Sequence, residues 1–521
     1  MPAQTDNPNI VFIFADDLGY GDVSCLSQDG RIPTPNIDRL AEEGLAFTDA
    51  HSTSAVCTPS RYGVLTGRYN WRSRLQRGIV RVFGPPLIGE DVPTLPGFLQ
   101  KEGYHTACIG KWHLGWDWPL DDAGRFVPDR DDPSPPVSEE VRVEWEEAFS
   151  RPIAGGPTTR GFDGYFGVDV PNWPPYTWIE DDHVQEIPSE YLPAEKVRQG
   201  SGGASEFGRC GEDMDLASKP GPAVPGWSFE PILPTLGERA SGYIRERSQT
   251  DEPFFLYLPL TSPHTPLAVN DEWKGKSGLN LYADFVMETD AVVGRVLDAV
   301  DEAGVAENTL VMFASDNGCA PYIGVRDMED RGHYPSAQYR GYKADAWDGG
   351  HRIPFLARWP ERISPGISCD QTVCLSDLMA TSADILNVEL ADDAGPDSFS
   401  LLSLIEGDNK PVREEVVHHS ISGRFAIRRG KWKLALCPGS GGWCPPKDQE
   451  AAAQGLPPVQ LYDMEADPGE TDNLQGEHPD IVDDLTQHLQ LLVDRGRSTP
   501  GPELDNDVEV DIFKREQDRS G

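Results

Sequence analysis

The 521-residue chain has no run of 18 consecutive apolar residues, so no segment is suited to cross a bilayer as a helix. It is short of basic residues. Its 45 Lys plus Arg stand against 86 Asp plus Glu, a formal charge of −41. That balance excludes nucleic-acid binding through a general basic surface and excludes attraction to anionic lipid. The opening residues 1–7 carry no basic n-region followed by an apolar h-region, so no secretory signal is expected. At face value the protein is cytoplasmic; the alternative is a periplasmic or secreted protein whose signal has been removed. Internal repeats are absent. Nine cysteines lie scattered at 25, 57, 108, 210, 319, 369, 374, 437 and 444, with no Cys-x-x-Cys pair and no Cys/His cluster of the structural-zinc kind. An odd count leaves at least one thiol outside any internal disulfide. Cys369/Cys374 and Cys437/Cys444 are close enough in sequence to pair, with reduced buried thiols the favoured reading.

What is present is a globular composition, 38% hydrophobic and 25% charged, long enough for a large core and a further unit. Asn9–Phe14 is a β-branched and aromatic run that ends in Ala15-Asp16-Asp17, which predicts a buried parallel strand delivering acids at its carboxyl end. Similar units recur where 254–258 runs into His264 and where 309–314 runs into Asp316-Asn317. Helical patterns at 37–44 and 282–303 lie between them, and strands alternating with helices predict an α/β domain with a mostly parallel central sheet flanked by helices. Residues 116–235, rich in Pro, Gly, Asp and Trp, read as surface excursions over that sheet, with an acid-rich stretch at 121–149. After about residue 411 the pattern changes to short strands, including a hairpin with a turn at Arg429-Gly430, then an amphipathic helix from Pro479 to Arg495. The expected organisation is a domain over 1–410 and a smaller α+β domain with an antiparallel sheet over 411–521. The tail from Thr499 reads as an arm or as disordered.

Asp16, Asp17, Asp316 and Asn317 are three carboxylates and an amide placed just past buried strands. Oxygen ligands without thiols suit a hard cation, Ca²⁺ or less favourably Mg²⁺, rather than zinc. In Ser54–Arg61, Pro59 suits the first turn of a helix. Cys57 would then precede free N–H groups that favour an anion and lower a thiol pKa, with Arg61 adding a forked cation on the same turn.

Cys57-Thr58-Pro59-Ser60-Arg61, extended by Leu65-Thr66-Gly67-Arg68, resembles the Cys-x-Pro-Ser-Arg signature of type I, formylglycine-dependent sulfatases. Further segments fall in the order of that family: 9–21, 35–40, 110–115, 263–266, 315–318, 341–350 and 461–470. The resemblance covers most of residues 8–475, is weakest over 120–240, and is nearest to bacterial arylsulfatase-A-like carbohydrate sulfatases.

The resemblance implies an alkaline-phosphatase-like large domain and a sulfuric ester hydrolase. It implies that Cys57 is oxidised by a formylglycine-generating enzyme to formylglycine, whose hydrate attacks sulfur in line. Asp16, Asp17, Asp316 and Asn317 would hold Ca²⁺. Arg61 would stabilise the diol, Lys111 would bind sulfate, and His113 would assist collapse of the diol. His264 and Lys343 would contact sulfate and the bridging oxygen, with His264 the candidate general acid. The substrate would be a sulfated carbohydrate, with 6-O-sulfated galactose or N-acetylgalactosamine as candidates, and small aryl sulfates. The aromatic run holding Trp173, Tyr176 and Trp178 is a candidate sugar platform, the segment 438–443 is a second unusual element, and His351 is a candidate pocket residue. The alternatives are a phosphonate monoester or phosphodiester hydrolase of the same superfamily, and a non-catalytic glycan-binding relative. Oligomeric state is left open.

Overall fold

The structure, a computed structural model, describes residues 7–120, 138–193, 196–197 and 218–514. Its centre is a ten-stranded mixed sheet. In spatial order the strands are Ile367–Cys369, Leu45–Phe47, Phe355–Arg358, Thr309–Ser315, Asn9–Asp16, Phe254–Pro263, His105–Lys111, Gly164–Val168, Ile179–Glu180 and His183–Val184. The central strands run parallel. Asn9–Asp16 pairs with both Phe254–Pro263 and Thr309–Ser315 in that sense, and His105–Lys111 pairs in the same sense on the far side of Phe254–Pro263.

Alternation along the first strand builds two layers. Val11, Ile13 and Ala15 face one core with the helices Ile232–Arg247 and Leu281–Glu302; Ile10, Phe12 and Phe14 face a second core with the helix Cys57–Thr66. Because both faces are covered, the strand is apolar throughout and its polar residues are confined to its ends.

Part of 116–235 departs from the expected surface excursions. Gly164–Val168 extends the main sheet beside His105–Lys111, and Trp116, Trp118 and Trp145 are core residues. These tryptophans pack under the added strands, which carries the sheet outward. Residues 121–137, the first half of the acid-rich stretch, lie outside the described residues.

The smaller unit is a four-stranded antiparallel sheet, Glu415–His419, Phe425–Arg429, Trp432–Ala435 and Gln460–Asp463, covered by the helix Pro479–Asp494. The tail from Thr499 is an ordered arm as far as Lys514. Val510 and Ile512 join the small core, Asp507 pairs with Arg68 at 2.8 Å, and the Asp507 N–H donates to the Arg72 carbonyl at 2.8 Å.

Arg72 ties these parts together. It is fully buried, forks onto Asp397 at 2.8 and 2.9 Å, and donates to the Leu492 carbonyl at 3.1 Å. Desolvation opposes the Asp397 charge, and Arg72 overcomes it and holds that carboxyl below its ordinary range. Arg72→Met should therefore leave an uncompensated buried carboxylate and cost about 3–5 kcal/mol. A urea midpoint within error of the parent would show that the pair contributes nothing net.

Candidate active site

Four strand ends deliver most of the site at the carboxyl edge of the parallel sheet, where α/β folds place their ligands, and a helix and a loop complete it. Asp16 ends one strand and Asp17 follows it; Asp316 and Asn317 follow the next; His264 follows Phe254–Pro263; Lys111 ends His105–Lys111, with His113 two residues on. Cys57 is the first residue of the helix Cys57–Thr66 and is 2% exposed. Lys343 comes from a loop that the Lys343 N–H anchors to the Cys319 carbonyl at 2.9 Å.

The charges interlock. The Lys111 ammonium donates to Asp16 at 2.6 Å. Arg61 donates to Asp316 at 3.0 Å, lies 3.3 Å from Asp16, and donates to the Lys111 carbonyl at 3.3 Å. Lys343 donates to the Asp17 carboxylate and to the Cys57 sulfur at 3.3 Å. Asn317 donates to Asp17 at 2.8 Å. Burial opposes ionisation of Asp16, yet Lys111, His264, Arg61 and Lys343 hold it well below the usual carboxylate range. Burial and the neighbouring Asp16 push Asp316 the other way.

Asp16 Oδ1, Asp17 Oδ2 and Asn317 Oδ1 are buried without hydrogen-bond partners. One ligand atom each from Asp16, Asp17, Cys57 and His264 lies within 4.8 Å of the others. Orphaned hard oxygens buried in one site, with Asp16 and Asp17 close enough to share an ion, fit a divalent cation of the Ca²⁺ or Mg²⁺ kind, while both Asp316 oxygens accept hydrogen bonds from Asp17 and Arg61.

The thiol corrects one expectation. Burial pushes Cys57 up to about 12, against the pull of Lys111 and Lys343, so the helix terminus does not yield a thiolate. As cysteine, residue 57 is a poor nucleophile here. His113 Nε2 lies 3.1 Å from the Val80 carbonyl, which can only accept, so Nε2 carries the proton and the buried Nδ1 offers a lone pair. By the same logic His264 donates Nδ1–H to the Thr265 carbonyl at 2.5 Å and turns Nε2 toward Asp17, 3.7 Å away. Burial lowers His264 to about 4 although Asp17 and Asp16 pull it upward, so it is neutral at neutral pH.

The aromatic candidates separate. Trp173 packs edge-on against His113 at 5.3 Å and is partly exposed. Tyr176 is a core residue whose hydroxyl donates to the Asn172 and Lys219 carbonyls. Trp178 stacks on Phe166 at 4.9 Å and meets Trp227 at 5.8 Å. From the second unit, Trp443 lies 5.9 Å from Tyr322, itself beside Lys343, Asp17 and Cys57. Asp345 fixes this approach by accepting the N–H groups of Trp443 and Cys444 at 2.9 and 3.1 Å and that of Tyr342 at 3.1 Å.

His351 stands apart. It is buried against His418, rings 3.5 Å apart and 10° from parallel, with its Nδ1 3.0 Å from His51 Nδ1 and its Nε2 3.2 Å from Lys433. Ring lone pairs lie in the ring planes, so two stacked rings do not aim at one ion. This cluster, with Lys433 bound to Asp348 and Glu470 at 2.8 Å each, fastens the small sheet to the large domain. Asp169 went unnoticed in the sequence. It accepts from the His113 N–H and the Trp116 indole at 3.2 Å each, and burial raises it to about 6. Its signal was an acid one residue beyond the strand Gly164–Val168. The suggested Cys437/Cys444 pairing is not formed. Cys369, Cys374 and Cys437 are free thiols, while Cys444 is disulfide-bonded.

Comparison with known proteins agrees with this geometry. A sulfatase family model matches residues 8–167 and 229–388. An N-acetylgalactosamine-6-O-sulfatase of Bacteroides thetaiotaomicron is 32% identical over 502 residues, covering 94% of each chain, and human arylsulfatase A is 31% identical over 507 residues, covering 93% of this chain and 87% of its own. A solved 6S-sulfatase from the glycosaminoglycan metabolism of Bacteroides thetaiotaomicron superposes with a TM-score of 0.74 at 27% identity, covering 94% of this chain and 99% of its own. A phosphonate monoester hydrolase of Agrobacterium radiobacter, 17% identical with a TM-score of 0.55 over 93% of this chain and 95% of its own, shares the fold alone. The chain belongs to the sulfatase family and is a sulfuric ester hydrolase, of the kind that works with a formylglycine and a divalent metal ion.

Proposed function

We propose that the protein removes 6-O-sulfate from galactose or N-acetylgalactosamine units of a sulfated carbohydrate, and cleaves small aryl sulfates as well. The observation that carries the chemistry is the convergence of Cys57, Lys111, Lys343, Arg61 and His264 around the partnerless oxygens of Asp16, Asp17 and Asn317. Support for the sugar comes from the N-acetylgalactosamine-6-O-sulfatase matched along almost the whole chain, and from the partly exposed Trp173 beside His113.

Formylglycine at residue 57, made by a formylglycine-generating enzyme, would supply a hydrated carbonyl oxygen as nucleophile, and Asp16, Asp17, Asp316 and Asn317 would hold Ca²⁺, which would supply positive charge to the sulfate oxygens. Ca²⁺ suits four protein oxygens better than Mg²⁺, which keeps several of its waters. Lys111 and Lys343 are oriented by Asp16 and Asp17 and turn their remaining N–H bonds to the sulfate. Arg61 braces the residue-57 turn against Asp316. His113 Nδ1 takes a proton from residue 57. His264, neutral in the free site, takes a solvent proton on Nε2 when the negative sulfate ester binds and stabilises the charged ring that burial alone disfavours, and it passes that proton to the leaving oxygen. The disulfide at Cys444 favours an oxidising compartment, periplasmic or extracellular.

Mass spectrometry of the peptide holding residue 57, from protein made in its native host, should find the formylglycine mass; an intact thiol throughout would end the sulfatase mechanism. Cys57→Ala should lower kcat on aryl sulfate by at least about 10⁴-fold, the scale of losing a nucleophile, whereas a phosphonate monoester should be a poor substrate from the outset. Trp173→Ala should raise KM for a 6-O-sulfated galactosaminide about tenfold, or about 1.4 kcal/mol, and change aryl sulfate turnover less than twofold; equal losses on both would remove Trp173 from sugar recognition. Chelation should lower the unfolding temperature, and free Ca²⁺ at about a hundred times Kd should restore about 2.7 kcal/mol. Identical melting curves would mean that the acids are balanced by their lysines and arginine alone.

A further inference from the structure

Asp17 has a backbone that its neighbours must hold in place. Its φ is +67°, a left-handed conformation that non-glycine residues keep only where the surroundings enforce it. Three contacts enforce it. The Asp17 N–H donates to Asp316 Oδ1 at 3.0 Å, and the next amide, of Leu18, donates to Ser315 Oγ at 3.0 Å. From the helix Leu281–Glu302, the Tyr282 hydroxyl reaches the Asp17 carbonyl at 3.0 Å.

Tyr282 is itself held by a buried chain that none of the site chemistry uses. Its hydroxyl lies 2.5 Å from Asp22 Oδ2, so its one hydrogen is shared between Asp22 and the Asp17 carbonyl. Asp22 Oδ2 also accepts the Gly19 N–H at 2.8 Å, and Asp22 Oδ1 lies 2.8 Å from His333 Nε2. The Arg31 N–H points at His333 Nδ1 from 3.2 Å, and since that amide can only donate, Nδ1 accepts and the ring proton sits on Nε2, toward Asp22. Tyr282, Asp22 and His333 are all fully buried. The Gly19 and Arg31 amides can only donate, and they fix the direction of the bonds at Asp22 and His333.

We infer that Tyr282, braced by Asp22 and His333, is a positioning residue that holds the Asp17 peptide in its left-handed turn and so aims the Asp17 carboxylate at the divalent ion. The inference rests on the proposal that Asp17 is a ligand of that ion. Without the hydroxyl, the Asp17 peptide loses one of the three bonds that oppose its return to an extended conformation, and Oδ2 swings off its line toward Asp16 and Asn317. The residue acts through the backbone and touches neither metal nor sulfate.

The test uses the full-length enzyme, stripped by chelation and titrated with calcium chloride by calorimetry, for the parent, Asp17→Asn, Tyr282→Phe and His333→Gln. Tyr282→Phe removes one oxygen and leaves no large cavity. It should weaken calcium binding roughly 10- to 100-fold, keep the melting temperature of the metal-free protein, keep KM for aryl sulfate, and regain kcat at saturating calcium. His333→Gln should lose less affinity, since it acts two bonds further away. Parent-like calcium affinity in Tyr282→Phe, with Asp17→Asn impaired, would overturn the positioning role while leaving the metal site standing. A fall in metal-free melting temperature with unchanged calcium affinity would also overturn it, showing a structural bond only. Parent-like binding by Asp17→Asn would instead strike down the assignment of Asp17 as a ligand, and the inference with it.

Discussion

Three carboxylates and three cations share one dry site. Asp16, Asp17 and Asp316 are buried together at the end of a parallel sheet, and Arg61, Lys111 and Lys343 are buried with them. Neither set could be buried alone, since the desolvation of either without the other would exceed what a fold of this size can bear. Their balance explains the geometry around them. The parallel strands must end level so that their acids meet, the helix at Cys57 must start where Arg61 can reach two of those acids, and the Lys343 loop must bring its ammonium to Asp17. A divalent ion added to this neutral set leaves net positive charge, facing a substrate that is an anion.

The overall charge of −41 and an anionic substrate are reconciled by that local reversal. The small sheet is part of the same arrangement. The His419 carbonyl accepts the Ala55 N–H at 3.0 Å and the Ser54 hydroxyl at 2.6 Å, and the Ala55 carbonyl accepts the Ala344 N–H at 2.7 Å. A strand of the second unit thus holds the approach to Cys57, which is bonded in turn to the residue after Lys343. Close backbone packing completes the join: a Cβ on Gly318 would fall 1.9 Å from the Gly349 carbonyl oxygen, so that contact requires glycine. Glu470, from a motif far along the chain, accepts the Asp348 N–H at 2.6 Å and pairs with Lys433.

The parts of the site legible in the sequence were those that a strand delivers. An apolar run such as 9–15 can only be buried, so the acids that follow it had a predictable place, and the order of motifs placed Arg61, Lys111, His113, His264 and Lys343 beside them. Side chains whose role depends on tertiary surroundings were not legible. Trp173, Tyr176 and Trp178 look alike in sequence, yet only Trp173 meets a residue of the charged centre, while Tyr176 is sealed in the core. The thiol of Cys57 moved against its local prediction because burial outweighed the helix terminus. His351 was near the right glycines but turned into a histidine stack. The Asp22–His333 bond joins residues 311 positions apart and leaves no periodic trace in either segment.

The terminal arm gives the order of events during synthesis a structural meaning. Arg68 and Arg72, just beyond the helix that begins at Cys57, receive their last partners from Asn506 and Asp507. Those partners are translated about 450 residues after Cys57, which at roughly 5–20 residues per second is a delay of about 20–90 s. Until then Arg68 and Arg72 lack those partners. The segment that follows the Cys57 helix is thus completed only by the last stretch of the chain to be made.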